Sequence, residues 1–209
     1  MDKIDNAIIL EGITGSGKSM QVKLISSANP DYCICNNASD IFKTTLPARD
    51  SLHKIGLKVI PEAMLHQFTT WMKVYEQCHE SAVTIIDRFT LSNLVYFIAR
   101  CEIENITVDI PKTRQMFLEP YGLSVLDKTH TIYFDCKPEI AARRVSRRAG
   151  REDFNIELQS HAYDIYRREL EIYPFAAYII NSGGTVEETS ERFMPLLEEI
   201  VDKIKNGKV

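Results

Sequence analysis

The chain has five cysteines, Cys33, Cys35, Cys78, Cys101 and Cys136, an odd number with no C-x2-C pair among them. Neither a disulfide framework nor a cysteine zinc site fits that spacing, and free thiols in a reducing compartment are the simplest account. No apolar run approaches the roughly 18 residues of a membrane span. The start, Met1-Asp2-Lys3-Ile4-Asp5, is polar and runs straight into the first apolar stretch, so the expectation is a cytoplasmic chain that is neither exported nor anchored. Positive charge is also in short supply: 25 Lys and Arg stand against 29 Asp and Glu, a net charge of −4, which argues against nucleic acid as the main partner. There is no internal repeat, low-complexity run or linker-like composition. A length of 209 residues with 44% hydrophobic content suits one domain spanning 1–209.

Against these absences stands one dense motif. Gly12-Ile13-Thr14-Gly15-Ser16-Gly17-Lys18-Ser19 has the form G-x4-G-K-S and follows the apolar run Ala7-Ile8-Ile9-Leu10 directly. It is a P-loop. Small residues let backbone N–H groups wrap an anion, the lysine reaches the outer phosphates, and the serine hydroxyl ligates Mg²⁺. Residues from Lys18 to Ile25 read as a helix, whose N-terminus adds about half a positive charge at the phosphates. The nucleotide-binding set is therefore Gly12, Thr14, Gly15, Ser16, Gly17, Lys18, Ser19 and Met20.

Five short apolar runs end in polar groups: Ala7 to Glu11, Leu57 to Glu62, Ala82 to Asp87, Thr131 to Asp135 and Ala176 to Asn181. Helical patterns separate them. Unbroken runs of this kind, rich in Val, Ile and Tyr, mark a parallel sheet covered on both faces, with ligands beyond the carboxyl ends of its strands. Residues 29–56 are less readable, with Tyr32-Cys33-Ile34-Cys35 a possible extra strand and Arg49-Asp50-Ser51 a possible helix start; 101–129 are interrupted by Pro111 and Pro120. After Glu62, Met64, Phe68, Trp71, Tyr75 and Cys78, flanked by Leu65 and Met72, form a wide helical stripe. Core packing accounts for most of it; the alternatives are a partner subunit and, for His66, Gln67 and Phe68 in its first turn, contact with a substrate. The last helix opens with a capping box, Thr185-Val186-Glu187-Glu188.

Phosphoryl transfer needs positioning and charge neutralisation, and the sequence offers a candidate for each part. Asp87 ends a strand as a Walker-B-type acid would, and with Ser19 makes the metal pair; capping the next helix is its other reading. Arg88 beside it suits an anionic or hydroxyl part of an acceptor. Arg143, Arg144, Arg147, Arg148 and Arg151 concentrate positive charge that the P-loop itself lacks, and 144, 147, 148 and 151 fall on one face of a helix. A solvated face and a closing segment hinged at Ala149-Gly150 both fit this cluster.

Taken together, these motifs resemble the thymidylate kinase and deoxynucleoside kinase branch of the P-loop kinases. The first strand and P-loop, Asp87-Arg88-Phe89 with Ser92-Asn93-Leu94-Val95-Tyr96, Ile132-Tyr133-Phe134-Asp135 with Pro138-Glu139, the arginines, and Ile179-Ile180-Asn181-Ser182-Gly183 agree with it in order. The resemblance implies a P-loop NTPase three-layer sandwich, a five-stranded parallel sheet in the order 2-3-1-4-5, an arginine-rich lid at approximately 143–155, ATP, Mg²⁺ and a homodimer. It also implies roles: Lys18 and Ser19 on phosphate and metal, Arg88 on the acceptor, Arg148 and Arg151 on the transferring group, and Arg144 and Gly183 at the adenine. Thymidylate kinases carry an Arg-Glu-Pro triplet after the second strand, where this chain is expected to have Ile60-Pro61-Glu62-Ala63. Nucleoside kinases place a glutamate there as base for the sugar hydroxyl, so Glu62 joins Lys18, Asp87, Arg88, Arg148 and Arg151 as a catalytic candidate. A carboxylate beside a neutral hydroxyl accepts its proton but repels a phosphate dianion. Its other reading is an acid at a helix N-terminus. The expectation is a nucleoside kinase, with a thymidylate-type monophosphate kinase as the alternative and a regulatory ATPase as the alternative of another class.

Overall fold

The computed structural model describes residues 7–29, 31–36, 45, 47–48, 50–51, 54, 59–77, 83–118, 129–147, 154–172 and 177–206. Five strands, β1 (Ile8–Glu11), β2 (Cys33–Asn36), β3 (Thr84–Asp87), β4 (His130–Asp135) and β5 (Ala177–Asn181), form one sheet in the order β2-β3-β1-β4-β5. All four pairings are parallel. Leu10 and Asn36 pair with Asp87, Glu11 with Tyr133 and Asp135 with Asn181, so the polar strand ends share one edge.

The helices that cover the sheet are α1 (Lys18–Ala28), α2 (Val59–Gln77), α3 (Thr90–Ile103), α4 (Ile110–Leu118), α5 (Pro138–Ser146), α6 (Ile156–Ile172) and α7 (Val186–Lys205). Alternate strand residues point to opposite faces, and both faces are dry. Ile9, Ile86 and Tyr133 pack with Val95 of α3 and Ile165 of α6. Ile8, Leu10, Ile85 and Ile132 pack with Val22 of α1 and Phe193 and Leu197 of α7. Burying each such side chain is worth about 1.5–3 kcal/mol, which is why β1 reads as an unbroken apolar run rather than an alternation.

The expected order of the sheet is the observed one, but its second strand is a different segment. Cys33–Asn36 forms β2, and Val59 to Glu62 open α2 instead of forming a strand. Pro61 is at home in the first helical turn, where a backbone N–H has no intrahelical partner. A strand buried on both faces would also hide Val59 and Ile60 alike, whereas Val59 is 4% exposed and Ile60 45%. In the same helix Met64, Phe68, Met72 and Tyr75 face solvent, contrary to core packing. The inward side carries Glu62, Thr70 and Val74, because Gln67 and Thr70 bond α3 and turn the apolar stripe outward.

Smaller differences have simple causes. Pro111 lies in the first turn of α4 rather than breaking it. Helix α5 stops at Ser146 with Arg147 as its cap, so 144 and 147 do not continue on one helical face, and Arg148, Ala149, Gly150 and Arg151 lie outside the described residues. The capping box at Thr185 and Glu188 forms as expected, with reciprocal bonds of 3.1 and 2.9 Å.

Candidate active site

The loop between β1 and α1 is held from below by the sheet and by α5. Gly12 (φ 139°) lies so close to β4 that a Cβ would stand 2.8 Å from the Phe134 carbonyl oxygen. At Gly15 (φ 87°) a Cβ would meet the Ala141 carbonyl oxygen at 2.7 Å, so no side chain fits without moving α5. The Lys18 ammonium donates to the carbonyls of Gly12 (2.8 Å) and Ile13 (3.0 Å) and to Ser16 Oγ (2.9 Å). Burial, and then the Arg88 charge, push Lys18 down to about 7, against the pull of Asp87 and Glu11. An anion entering the loop restores the charged form.

At the first turn of α1, Ser19 Oγ donates to Asp87 Oδ2 at 2.8 Å. Asp87 is buried, and its Oδ1 has no partner among the described residues. An orphaned carboxylate oxygen beside a hydroxyl, at the mouth of a phosphate loop, is a fit for a hard divalent cation that takes its remaining ligands from phosphate and water. Among the described residues no cluster of three or more His, Cys, Asp or Glu side chains could hold a metal alone.

Arg88 follows with φ 71°, a conformation uncommon for a residue with a side chain. Its guanidinium lies 5.2 Å from the centre of the Tyr96 ring and donates to Thr14 Oγ1 at 3.3 Å. Burial opposes its charge, but Tyr96, Tyr166, Asp87 and Glu11 hold it firmly protonated. The turn is fixed by Glu11, which accepts from the backbone of Phe89 (3.0 Å) and Ser92 (3.3 Å), from Ser92 Oγ, and from Tyr166 Oη (2.9 Å). Burial raises the Glu11 carboxyl above its usual range while these donors and Arg88 oppose the rise.

On the opposite side Arg144 ties three segments together. It donates to the carbonyls of Gly15 and Ser16 at 3.3 Å each, to that of Ser182 at 2.6 Å and to that of Gly184. The Gly183 N–H donates to Asn181 Oδ1 at 2.9 Å, and Met20 is exposed on the first turn of α1. The structure thus brings together Gly12, Thr14, Gly15, Ser16, Gly17, Lys18, Ser19, Asp87 and Arg88, with Met20, Arg144 and Gly183 at the rim; Arg148 and Arg151 lie outside the described residues.

Glu62 is the exception. It lies in the first turn of α2 and pairs with Arg100 at 2.9 Å, and Arg100 also meets Glu104 at 3.5 Å. Arg100 is ten residues into α3, about 15 Å along its axis from the turn that carries Arg88. Glu62 is therefore a helix-terminal acid in an ion pair and does not end a strand at the site. The α2 groups that do reach the start of α3 are Gln67 and Thr70, which accept from Asn93 Nδ2 at 2.5 and 3.2 Å, and Trp71, whose ring centre is 4.8 Å from that of Phe89.

Glu11, Gln159 and Tyr166 gave no functional signal in the sequence beyond their types, whereas Gln67 was a candidate for substrate contact. The one available sign was polar side chains within the inward stripe of α6, where Gln159, Tyr166 and Glu169 share a face with Ala162 and Ile165. Buried polar groups imply partners.

Residues 10–193 match the family model described as Thymidylate kinase. Curated thymidylate kinases of Symbiobacterium thermophilum (27% identical, covering 96% of each chain) and Clostridium novyi (26%, covering 91% of this chain and 97% of that one) are similar over nearly their whole lengths. Among solved structures, deoxyadenosine kinase from M. mycoides with bound dATP is similar in fold, with a TM-score of 0.68 at 20% identity over 92% of this chain and 98% of the other.

Replacing Glu62 by Gln should lower unfolding free energy by about 1 kcal/mol, since a mostly buried ion pair is lost while a neutral amide remains and Arg100 keeps Glu104. Catalytic turnover should stay within about threefold of wild type. A loss of about a hundredfold with unchanged denaturation would return Glu62 to the role of base.

Proposed function

The chain belongs to the thymidylate kinase family, and on that premise we propose that this ATP-dependent kinase uses Mg²⁺ to phosphorylate the sugar hydroxyl of a nucleoside. In this reading the P-loop from Gly12 to Ser19 cradles the phosphates, and Lys18 neutralises them. Ser19 and Asp87 would hold the cation, which would supply positive charge to offset the charge on the phosphates. Arg88 clamps the acceptor, Arg144 and Gly183 border the adenine, Met20 packs beside it, and Arg148 and Arg151 close over the transferring group. The hydrogen bond from Ser19 to the buried Asp87 beside the P-loop is the observation that carries the donor half.

The acceptor class rests on charge. A monophosphate acceptor is a dianion and needs cations besides Arg88. The sequence that follows β2 reads Asn37-Ala38-Ser39-Asp40, with an acid and no arginine where the family's Arg-Glu-Pro triplet stands. That composition suits a neutral acceptor hydroxyl. Asn93 and Gln67, bonded to one another, and the Trp71–Phe89 pair supply polar and aromatic groups suited to a base. The second reading, a thymidylate-type monophosphate kinase, is favoured by the curated relatives. A regulatory ATPase leaves these α2 and α3 groups without a role.

We further propose a cytoplasmic homodimer of single-domain protomers without a nucleic-acid partner. Ile60, Met64, Phe68, Met72 and Tyr75 recur every three or four residues along α2, and Phe68 is 66% exposed. Such a continuous apolar ridge suits a self-complementary interface with a two-fold axis. No described helix is long and apolar enough to cross a membrane.

A panel of nucleosides, nucleoside monophosphates and simple alcohols, scored for ADP release above the hydrolysis background, tests the reading. Nucleosides should give the largest stimulation, and Lys18→Ala should abolish it in a folded protein. Stimulation by monophosphates alone would select the second reading, and by none the ATPase. Light scattering should give twice the protomer mass for wild type and one protomer for Phe68→Glu; a wild-type monomer would contradict the dimer.

A further inference from the structure

Helix α6 reaches the P-loop through a side chain to which the kinase reading gives no task. Gln159, 6% exposed, accepts the Thr14 N–H at 2.9 Å and the Tyr96 hydroxyl at 2.7 Å, both on its Oε1. The Tyr96 oxygen in turn accepts the same Thr14 N–H at 3.1 Å and lies 3.4 Å from Thr14 Oγ1. Four parts of the chain therefore converge within a few ångströms: the P-loop at Thr14, the turn after β3 at Arg88, α3 at Tyr96 and α6 at Gln159. Arg88 has a contact on each side of this knot, its ring partner Tyr96 and its acceptor Thr14 Oγ1.

Burying an amide costs free energy unless it is bonded, and an apolar side chain at the same place on α6 would avoid the cost. The other two polar residues on that face have partners of another kind: Tyr166 bonds Glu11 and Ser92, and Glu169 holds Arg114 with two bonds of 2.8 Å. Those two fasten α6 to β1 and α4. Gln159 differs because its partner is a loop that must fit an anion, and because Thr14 of that loop also accepts from Arg88.

We infer that Gln159 is a positioning residue: with Tyr96 it fixes the P-loop at Thr14 and, through Thr14 and the Tyr96 ring, sets where the Arg88 guanidinium stands. The inference rests on the kinase reading and adds to it a residue that touches neither nucleotide nor acceptor. Displacing a reacting or clamping group by about 1 Å costs as much as a hundredfold in rate, while leaving binding made elsewhere intact. Removing the knot should therefore lower kcat on the best acceptor and spare ATP affinity, which the rest of the loop supplies.

The test uses Gln159→Met, which keeps length and removes the oxygen, Tyr96→Phe, which keeps the ring, and the double variant. Thermal denaturation, calorimetric ATP affinity, and kcat and KM on the best acceptor are measured for each. The expected result for Gln159→Met is a folded protein with ATP affinity within about twofold and kcat lowered about 10- to 100-fold. The double variant should be no slower than the worse single one, since both break one device. A kcat within twofold of wild type, a loss confined to ATP affinity, or losses that multiply in the double variant would overturn the inference. Should Gln159→Met not fold, Tyr96→Phe carries the same criterion, and its kcat must fall about tenfold or more. A wild-type protein that transfers phosphate to no acceptor would refute the kinase reading itself; active wild type with equally active variants would refute this inference alone.

Discussion

The buried carboxylate of Glu11 is the interaction on which the rest of the site depends. Phe89, the residue before α3, has no side-chain oxygen to cap the helix. Glu11, the last residue of β1, supplies the cap from another strand, accepting the N–H groups of Phe89 and Ser92. This bond fixes the start of α3 against the start of the P-loop. The left-handed conformation of Arg88 is held between Asp87 on the sheet and a capped helix, and so persists despite its cost. Charges of both signs, Glu11 and Asp87 against Lys18 and Arg88, are compensated within the same few residues.

Two consequences follow for the chemistry. Without phosphate, Lys18 is tied to loop carbonyls and to Ser16, and burial lowers it to about 7, so the loop holds the lysine in place before an anion arrives. With phosphate, the same ammonium is already within the loop and little reorganisation is required, which is the condition under which electrostatic stabilisation is most effective. Helix α6 completes the frame. Its Tyr166 bonds Glu11, its Gln159 bonds Thr14, and the two are seven residues apart on one face, so a single rigid element braces both ends of the P-loop's first half.

What was legible in the sequence follows from how local each signal is. The P-loop, Asp87 and four of the strands are encoded by contiguous residues whose types and spacing have few other uses, and the sheet order came from the family resemblance that these motifs carry. The second strand was misplaced because Leu57 to Glu62 and Cys33 to Asn36 are both short apolar runs, and only long-range pairing with β3 distinguishes them. Glu62 was assigned to the acceptor on that misplacement. Glu11, Gln159 and Tyr166 were not legible because their partners lie 63 to 155 residues away, and no local pattern announces such contacts.

The proposed nucleoside kinase reading requires a nucleotide on the P-loop and a nucleoside against α2 and α3 at the same time. A compound that joins adenosine to the best acceptor through an oligophosphate chain tests it directly in a calorimetric competition experiment. The account predicts that this compound binds at least about tenfold more tightly than ATP or the acceptor alone, and that each of them displaces it. Affinity no greater than that of ATP, with displacement by ATP and none by the acceptor, would contradict it.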